Sequence, residues 1–330
     1  MAQNNFLSAP LVAATALMLL AACASSDGSV DESGVHSIKI GSTPSLSAAS
    51  LNLAAEPDGP LAGHGISIEQ QTVQGGPQAL PLLLNGQLQI TVGDPASIIL
   101  AASKKTPLVI VGQAVVVSPD ASKDTSAIVA RDTTAITSPS DLNGKTVAVV
   151  ALNSLNTLVV RNLVDKDGGD SSSVKFVELP FGQIAESISA GRVDAALLIE
   201  PFKSEAVAAG LKIVSPAASA SVPGVPQAAY ITTKSFAEKN PQLIADFASS
   251  IAAANEELEA DKSTVKSIAL ETTQLSAEQL DAMTLPTFVP ASIQLGPLED
   301  LAGLMQQYEM LGAPFDVRSI VDPAALADGR

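Results

Sequence analysis

Four short stretches carry the hydroxyls, amides, glycines and carboxylate best suited to hold a small molecule. They are Thr43-Pro44-Ser45-Leu46-Ser47, Gly75-Gly76-Pro77, Asp94-Pro95-Ala96-Ser97 and Asn153-Ser154-Leu155-Asn156. Each follows a run that reads as a strand and opens a run that reads as a helix, which is where open α/β sheets gather ligands. The first N–H groups of a helix have no partner within it, and the helix start carries partial positive charge. Such loops can therefore bind an anion or a polar group without an arginine. The same residue types are ordinary helix caps, and for any one of them that role is open as well. Glu200, just before Pro201, could bind a ligand amine or could cap the helix that Pro201 opens. Phe181 could wall a cleft or sit in the core.

Other chemistry is poorly supplied. The histidines are His36 and His64, and the cysteine is Cys23. A His/Cys metal centre needs three or four ligands. No loop alternates Asp and Asn as a calcium site would. No G-x-S-x-G, P-loop or G-x-G-x-x-G motif occurs. No catalytic residue, metal or cofactor is assigned, and the chain is expected not to be an enzyme. Arginine occurs only at Arg131, Arg161, Arg192, Arg318 and Arg330, and tryptophan is absent. A dianion would lack a bidentate partner in these loops. Arg161 is expected to face solvent. The formal net charge is −16 with no basic patch, so nucleic acid is excluded as a partner.

The elements that must position these loops alternate. "SIKIGS" reads as a strand, "SLSAASLNLAAE" as a helix, "GISIEQQTV" as a strand and "GPQALPLLLNG" as a helix stopped at Gly86. "LQITVG", "PASIILAASK", "PLVIVGQAVV" and "SAIVARD" continue the pattern. A second series starts at "SPSDLNGKTVAVV", where Ser138 or Ser140 can cap a short helix. It continues through "NSLNTLVVRNLVDKDG", "VKFVEL", "GQIAESISAG", "VDAALLI", "PFKSEAVAAG" and "LKIVSP". Such alternation predicts mostly parallel sheets covered by helices. After "AAYIT" the chain reads as nearly all helical. Leu243, Ile244, Phe247, Ile251 and Ala254 recur near a 3.6-residue period, the face of a helix that covers a sheet.

One figure is written twice. "GPQALPLLLNGQLQITVGDPA" and "FGQIAESISAGRVDAALLIEPF" each place a Gln, an apolar helix, a turning Gly, a short apolar strand and a Pro in that order. This predicts two similar α/β lobes: residues 36–131 and 228–330 form the first, and 132–227 form a second inserted into it. Two chain crossings would then make a hinge with a cleft between the lobes. Hydrophobic residues are 46% of the chain and charged ones 16%, which suits two packed cores and not disorder.

The beginning differs in kind. "PLVAATALMLLAAC" is an apolar run of about 13 residues before Cys23, short of the roughly 20 that span a bilayer. It reads as a signal peptide over 1–22, although "MAQNNFLSAP" lacks the usual basic residue. Leu20-Ala21-Ala22-Cys23 matches a bacterial lipobox, with Cys23 the lipidated residue. Residues 23–35 read as a flexible, acidic tether.

Five segments resemble a known family. They are "IKIGSTPSLSAASLNLAAE", "GGPQALPLLLNGQLQITVGDPASIILAASK", "SPSDLNGKTVAV", "VELPFGQIAESISAGRVDAALLIEPF" and "FAEKNPQLIADF". In this order they resemble the solute-binding lipoproteins of ABC importers, in the nitrate/sulfonate/taurine and thiamine-precursor (NMT1/THI5-like) group. The resemblance implies an α/β, two-lobed, type II periplasmic-binding fold with mixed sheets flanked by helices. It implies a monomer anchored by lipid on the outer side of the membrane. Such a protein captures a small organic molecule or anion, of the sulfonate, nitrate, taurine or thiamine-pyrimidine-precursor class, by lobe closure and delivers it to a permease with its ATPase. A ligand-sensing lipoprotein is the alternative. A pyrimidine synthase of the THI5 type is a further one, but those enzymes depend on a Cys-rich segment and an active-site His. The paucity of arginines departs from what sulfonate binders lead one to expect.

The lipobox carries a direct prediction. Cys23→Ala should move the protein from the membrane fraction to a soluble or uncleaved form on fractionation. A wild type that is already soluble and begins elsewhere would refute the anchor.

Overall fold

The computed structural model describes residues 29–30, 35–73, 75–289 and 292–326. Cys23 and the proposed leader lie outside the described residues. A short β1 (Ser29–Val30) pairs antiparallel with β2 (His36–Ser42), so these two residues of the stretch read as a flexible tether are held in the first sheet. In β2, Ile38 and Ile40 are fully buried while Lys39 between them is exposed, the period of two that one buried face imposes. Two short helices follow, α1 (Ala49–Ala54) and α2 (Pro60–Gly63), then β3 (Ile66–Thr72), parallel to β2. Next come α3 (Gly76–Leu84) and β4 (Ile90–Gly93). Strand β4 lies parallel to β2 on its other side. That approach needs a glycine: a Cβ on Gly41 would stand 2.6 Å from Leu88 Cδ1 and 2.7 Å from Thr91 Oγ1. Helix α4 (Pro95–Ser103) and the almost wholly buried β5 (Leu108–Val116) complete this series.

The second series is β6 (Ser126–Arg131), β7 (Thr146–Val149), α5 (Leu155–Lys166), β8 (Lys175–Glu178), α6 (Phe181–Ser189), β9 (Ala195–Ile199), α7 (Phe202–Ala208) and β10 (Leu211–Pro216). Its sheet runs β10-β6-β9-β7-β8. After α8 (Ala218–Ser221), strand β11 (Pro226–Thr233) enters the first sheet between β4 and β5, antiparallel to both. Helices α9 (Lys234–Lys239), α10 (Pro241–Ala260), α11 (Lys262–Thr272), α12 (Ala277–Ala282) and α13 (Leu295–Gln307) follow.

Two expectations change. The sheets are mixed, as the family resemblance implies, and not mostly parallel, as the alternation alone predicts. In the first, β11 runs back against its neighbours; in the second, β6 is antiparallel to both β9 and β10. The pairing also puts Ser126–Arg131 in the second sheet, although the sequence places them in the first lobe. Nothing local marks the change, because β5 and β6 are equally apolar.

Helix α10 covers the first sheet as its period predicts. Leu243, Ile244, Phe247, Ile251, Ala254 and Leu258 are buried along it, and Phe247 meets Tyr230 of β11 edge-on at 5.3 Å and 83°. A second cluster is continuous between the two sheets. It joins Ile98 and Ile99 of α4 to Leu155, Leu158 and Val159 of α5 and to Leu301 and Met305 of α13.

The chain crosses between the sheets over 117–125 and 217–225. Val117 and residues 224–225 pair the two crossings through backbone bonds of 2.8 and 2.9 Å. Asp124 pins them. Its Oδ1 accepts from the Ser126 N–H (2.9 Å) and hydroxyl (2.7 Å). Its Oδ2 accepts from the Ala217 N–H (3.0 Å), the Ser219 N–H (2.8 Å) and the Ser219 hydroxyl (2.6 Å). The residue is only 7% exposed, so water cannot replace these bonds. Asp124→Ala would strand several buried donors. We expect it to lower the unfolding free energy by roughly 2–4 kcal/mol in urea titration. A change within about 0.5 kcal/mol, typical of surface sites, would show that the crossings do not depend on it.

Candidate functional site

The loops singled out from the sequence all lie at C-terminal ends of strands. Residues 43–47 follow β2, Gly75-Gly76-Pro77 follow β3, residues 94–97 follow β4 and residues 153–156 follow β7. The Val73 N–H donates to the Ser42 carbonyl at 3.0 Å and sets the first two loops side by side. Ser45 places its Oγ 3.3 Å from the Thr43 carbonyl, to which it donates, and 2.8 Å from Ser47 Oγ, while Pro44 is exposed. Leu46 is 2% exposed and packs on Ala269, Leu275, Leu280 and Met283, so it is core and not lining. Gly75 has φ of 133°, a conformation other residues rarely adopt, and it precedes α3 directly; Gly76 and Pro77 open that helix.

The third and fourth loops meet. Asp94 Oδ1 accepts from the Ser97 N–H at 3.0 Å, the cap of its own helix α4. The same oxygen accepts from the Leu155 N–H at 3.0 Å, in the first turn of α5. Beside it the Ser97 hydroxyl donates to the Asn153 carbonyl at 3.3 Å. One carboxylate thus serves the starts of two helices, one from each sheet, and offsets the partial positive charge of both. Ser154 does not cap α5, because its hydroxyl turns back to the Ala151 carbonyl at 2.7 Å. Ser154, Leu155, Pro95 and Ala96 are buried, and Asn156 is half-buried. Of the anticipated hydroxyl and amide groups here, Ser97, Asn153 and Asn156 keep access to solvent.

Glu178 is a further member that its local sequence does not single out. Its Oε2 accepts from the Leu152 N–H at 3.2 Å, and Leu152 is 43% exposed beside it. The available signal was position: Glu178 ends strand β8 and faces the same loop.

Glu200 is not free for a ligand amine. Its side chain is 1% exposed and pairs with Lys203 at 2.9 Å. Its oxygens also accept from the Ser204 N–H (3.2 Å) and hydroxyl (3.0 Å), which is the capping role, and from the Thr284 N–H (3.1 Å). Lys203 in turn donates to the Asp124 carbonyl and to Thr284 Oγ1, each at 3.0 Å. This network ties the second sheet to the segment after α12. Phe181 stacks on Phe202 with centroids 5.1 Å apart, at the margin of a core cluster. Arg161 does not simply face solvent. Its guanidinium lies 5.6 Å from the centre of the Phe176 ring, and its Nε is buried without a hydrogen-bond partner. Arg131 donates to the Ile188 carbonyl at 2.6 Å, at the C-terminal end of α6 and away from these loops.

Farther along α5, the Tyr308 hydroxyl donates to Asp165 at 2.8 Å. Burial raises the Asp165 pKa, but bonds from Ser171 and Tyr308 outweigh it and hold the carboxyl below its usual range. Burial, then Asp165 itself, pushes the Tyr308 hydroxyl upward. His64 lies 3.3 Å from Asp246 and His36 opens β2, so neither belongs to these loops. Among the described residues, no group of three or more His, Cys, Asp or Glu could hold a metal ion. No described helix is long and apolar enough to cross a membrane.

Known proteins share this fold. A family profile described as NMT1/THI5 like matches residues 51–263. No curated protein matches the chain in a sequence search. Among solved structures, the chain is similar to the ligand-binding component of an ABC-type import system from Staphylococcus aureus, with zinc bound. The identity there is 12%, the TM-score is 0.77, and 89% of this chain and 99% of that one are covered. It is similar to the alkanesulfonate-binding protein SsuA from Xanthomonas axonopodis pv. citri bound to MOPS, at 18% identity and TM-score 0.73, covering 87% and 98%. It is also similar to the periplasmic aliphatic sulphonate binding protein SsuA from Escherichia coli, at 18% and 0.68, covering 86% and 96%. At these identities the likeness is one of fold, the periplasmic-binding-protein fold.

The burial of the Glu200–Lys203 pair can be tested by removing its cation. Lys203→Ala leaves a buried carboxylate without its partner, and we expect a loss of about 3–5 kcal/mol in chemical denaturation. A loss below about 1 kcal/mol, the value of a surface pair, would refute the burial.

Proposed function

The chain belongs to the NMT1/THI5-like family, and on that premise we propose that it captures a small solute between its two sheets and delivers it to an ABC import permease. The observation that carries the reading is the meeting of loops 94–97 and 153–156. They come from the C-terminal strand ends of different sheets, and they touch through Asp94 and Ser97. Solutes bind at such strand ends in open α/β sheets. We read the two sheets with their helices as lobes and the crossings 117–125 and 217–225 as the hinge. Residues 43–47, 75–77, 94–97 and 153–156 are the proposed solute-facing loops, with Leu46 packed in the core and Pro95, Ala96, Ser154 and Leu155 buried beneath their exposed groups. Glu200 holds the frame behind them.

Cys23 is the proposed lipid attachment site, which would keep a monomer at the outer face of the membrane. The reading involves no chemical step. A sensor that shows its bound solute to a receptor would use the same cleft.

Native mass spectrometry tests the capture step. Protein incubated with a small-molecule extract of its host should acquire one discrete added mass. Small-angle scattering of that complex should show a smaller radius of gyration than the free protein. Recovery of only the free mass would refute solute capture, and tight binding at unchanged radius would refute lobe closure.

A further inference from the structure

We propose that Asp94 determines which solutes the cleft admits: its carboxylate already fills the anion position between the starts of α4 and α5, so the cleft refuses anions and takes neutral or cationic solutes. This rests on reading the cleft between the sheets as the binding site, and it names the class of solute for that site.

A helix cap ordinarily serves its own helix. Asp94 serves α4 through Ser97 and α5 through Leu155, both with Oδ1 and both at 3.0 Å. Helix α5 depends on this contact, since the Ser154 hydroxyl is turned to the Ala151 carbonyl. Among the described residues, no Lys or Arg pairs with Asp94. Its charge is therefore balanced by two helix starts, the partners a bound anion would use. Glu178 repeats the arrangement by accepting from the Leu152 N–H. Two N–H groups at the start of α5 and in the loop before it are thus already held by carboxylates.

The surrounding loops offer an anion no side-chain cation in exchange. Residues 42–47, 72–78, 93–97, 150–156, 178–181 and 199–202 contain Asp94, Glu178 and Glu200 but no Lys or Arg. An entering anion would have to displace Asp94 and then sit beside like charge. A solute with an N–H donor or a positive charge meets no such barrier. It could pair with Asp94 Oδ2, which accepts no hydrogen bond among the described residues, while Oδ1 keeps joining the two sheets.

The test uses the full chain with ethanesulfonate and nitrate as probes. In titration calorimetry, wild type should give no binding heat with either. Asp94→Ala frees both N–H groups and removes the charge, and should bind ethanesulfonate about ten-fold to a hundred-fold more tightly than wild type. Asp94→Asn retains an acceptor for both N–H groups and should keep the solute-free radius of gyration of wild type. Asp94→Ala should show a larger radius, because the inter-sheet bond is gone. Circular dichroism would confirm that each variant folds, and Asp94→Ser, which keeps a capping hydroxyl, replaces alanine should that variant not fold. Binding of either anion by wild type would overturn the proposal while leaving solute capture standing. A folded Asp94→Ala or Asp94→Ser that binds neither anion and keeps the wild-type radius would overturn it too. If the anion appears only in the variant but no solute is ever captured by wild type, the role of Asp94 stands and the transport reading falls.

Discussion

A buried carboxylate at the crossing between two sheets holds this molecule in register. Asp124 lies where the chain enters the second sheet and ties that entry to the point where the chain leaves it again. Antiparallel entry of β11 between β4 and β5 requires the return strand to arrive at one height and in one direction. The backbone bonds between Val117 and residues 224–225 guide that arrival, and Asp124 anchors the other end of both crossings. Because the Asp124 bonds are shielded from water, each contributes more than a surface bond would, and losing the acceptor leaves its donors without replacement. The strand-end loops of both sheets are positioned from that joint outward.

From the joint, two further contacts brace the sheets. On one side, α4, α5 and α13 share a continuous apolar cluster, and Tyr308 of the segment after α13 bonds Asp165 of α5. On the other, the Glu200–Lys203 pair reaches Thr284. Under the proposed reading, opening between the sheets would work against these contacts and against the apolar cluster. Asp94 sits where the starts of α4 and α5 approach. Two helix starts facing each other bring like partial charges together, and a shared carboxylate relieves that repulsion. On the reading proposed above, stability and solute choice draw on the same group.

Much of this was legible in the sequence. The alternation of apolar runs and turning glycines marks the strands and helices, and the 3.6-residue period of α10 identifies the face that covers the first sheet. The strand-end loops were placed by the same local pattern, and Asp94 was among them because it precedes Pro95 and a helix. The capping role of Glu200 was one of two readings the local residues allowed. These features depend on a few neighbouring residues, whose period and turn chemistry sequence states directly.

Tertiary structure alone decided which partners those elements take. Ser126–Arg131 joins the second sheet although the sequence order places it with the first, and β11, expected in the first, enters it antiparallel between β4 and β5. Leu155, 61 residues from Asp94, supplies the N–H that the carboxylate accepts. Thr284, 84 residues from Glu200, helps to close the buried network that removes that glutamate from the cleft. A buried polar group must find a partner, but its local sequence states only the need. The identity of the partner follows from which distant backbone is brought within about 3 Å, and only the packed chain determines that.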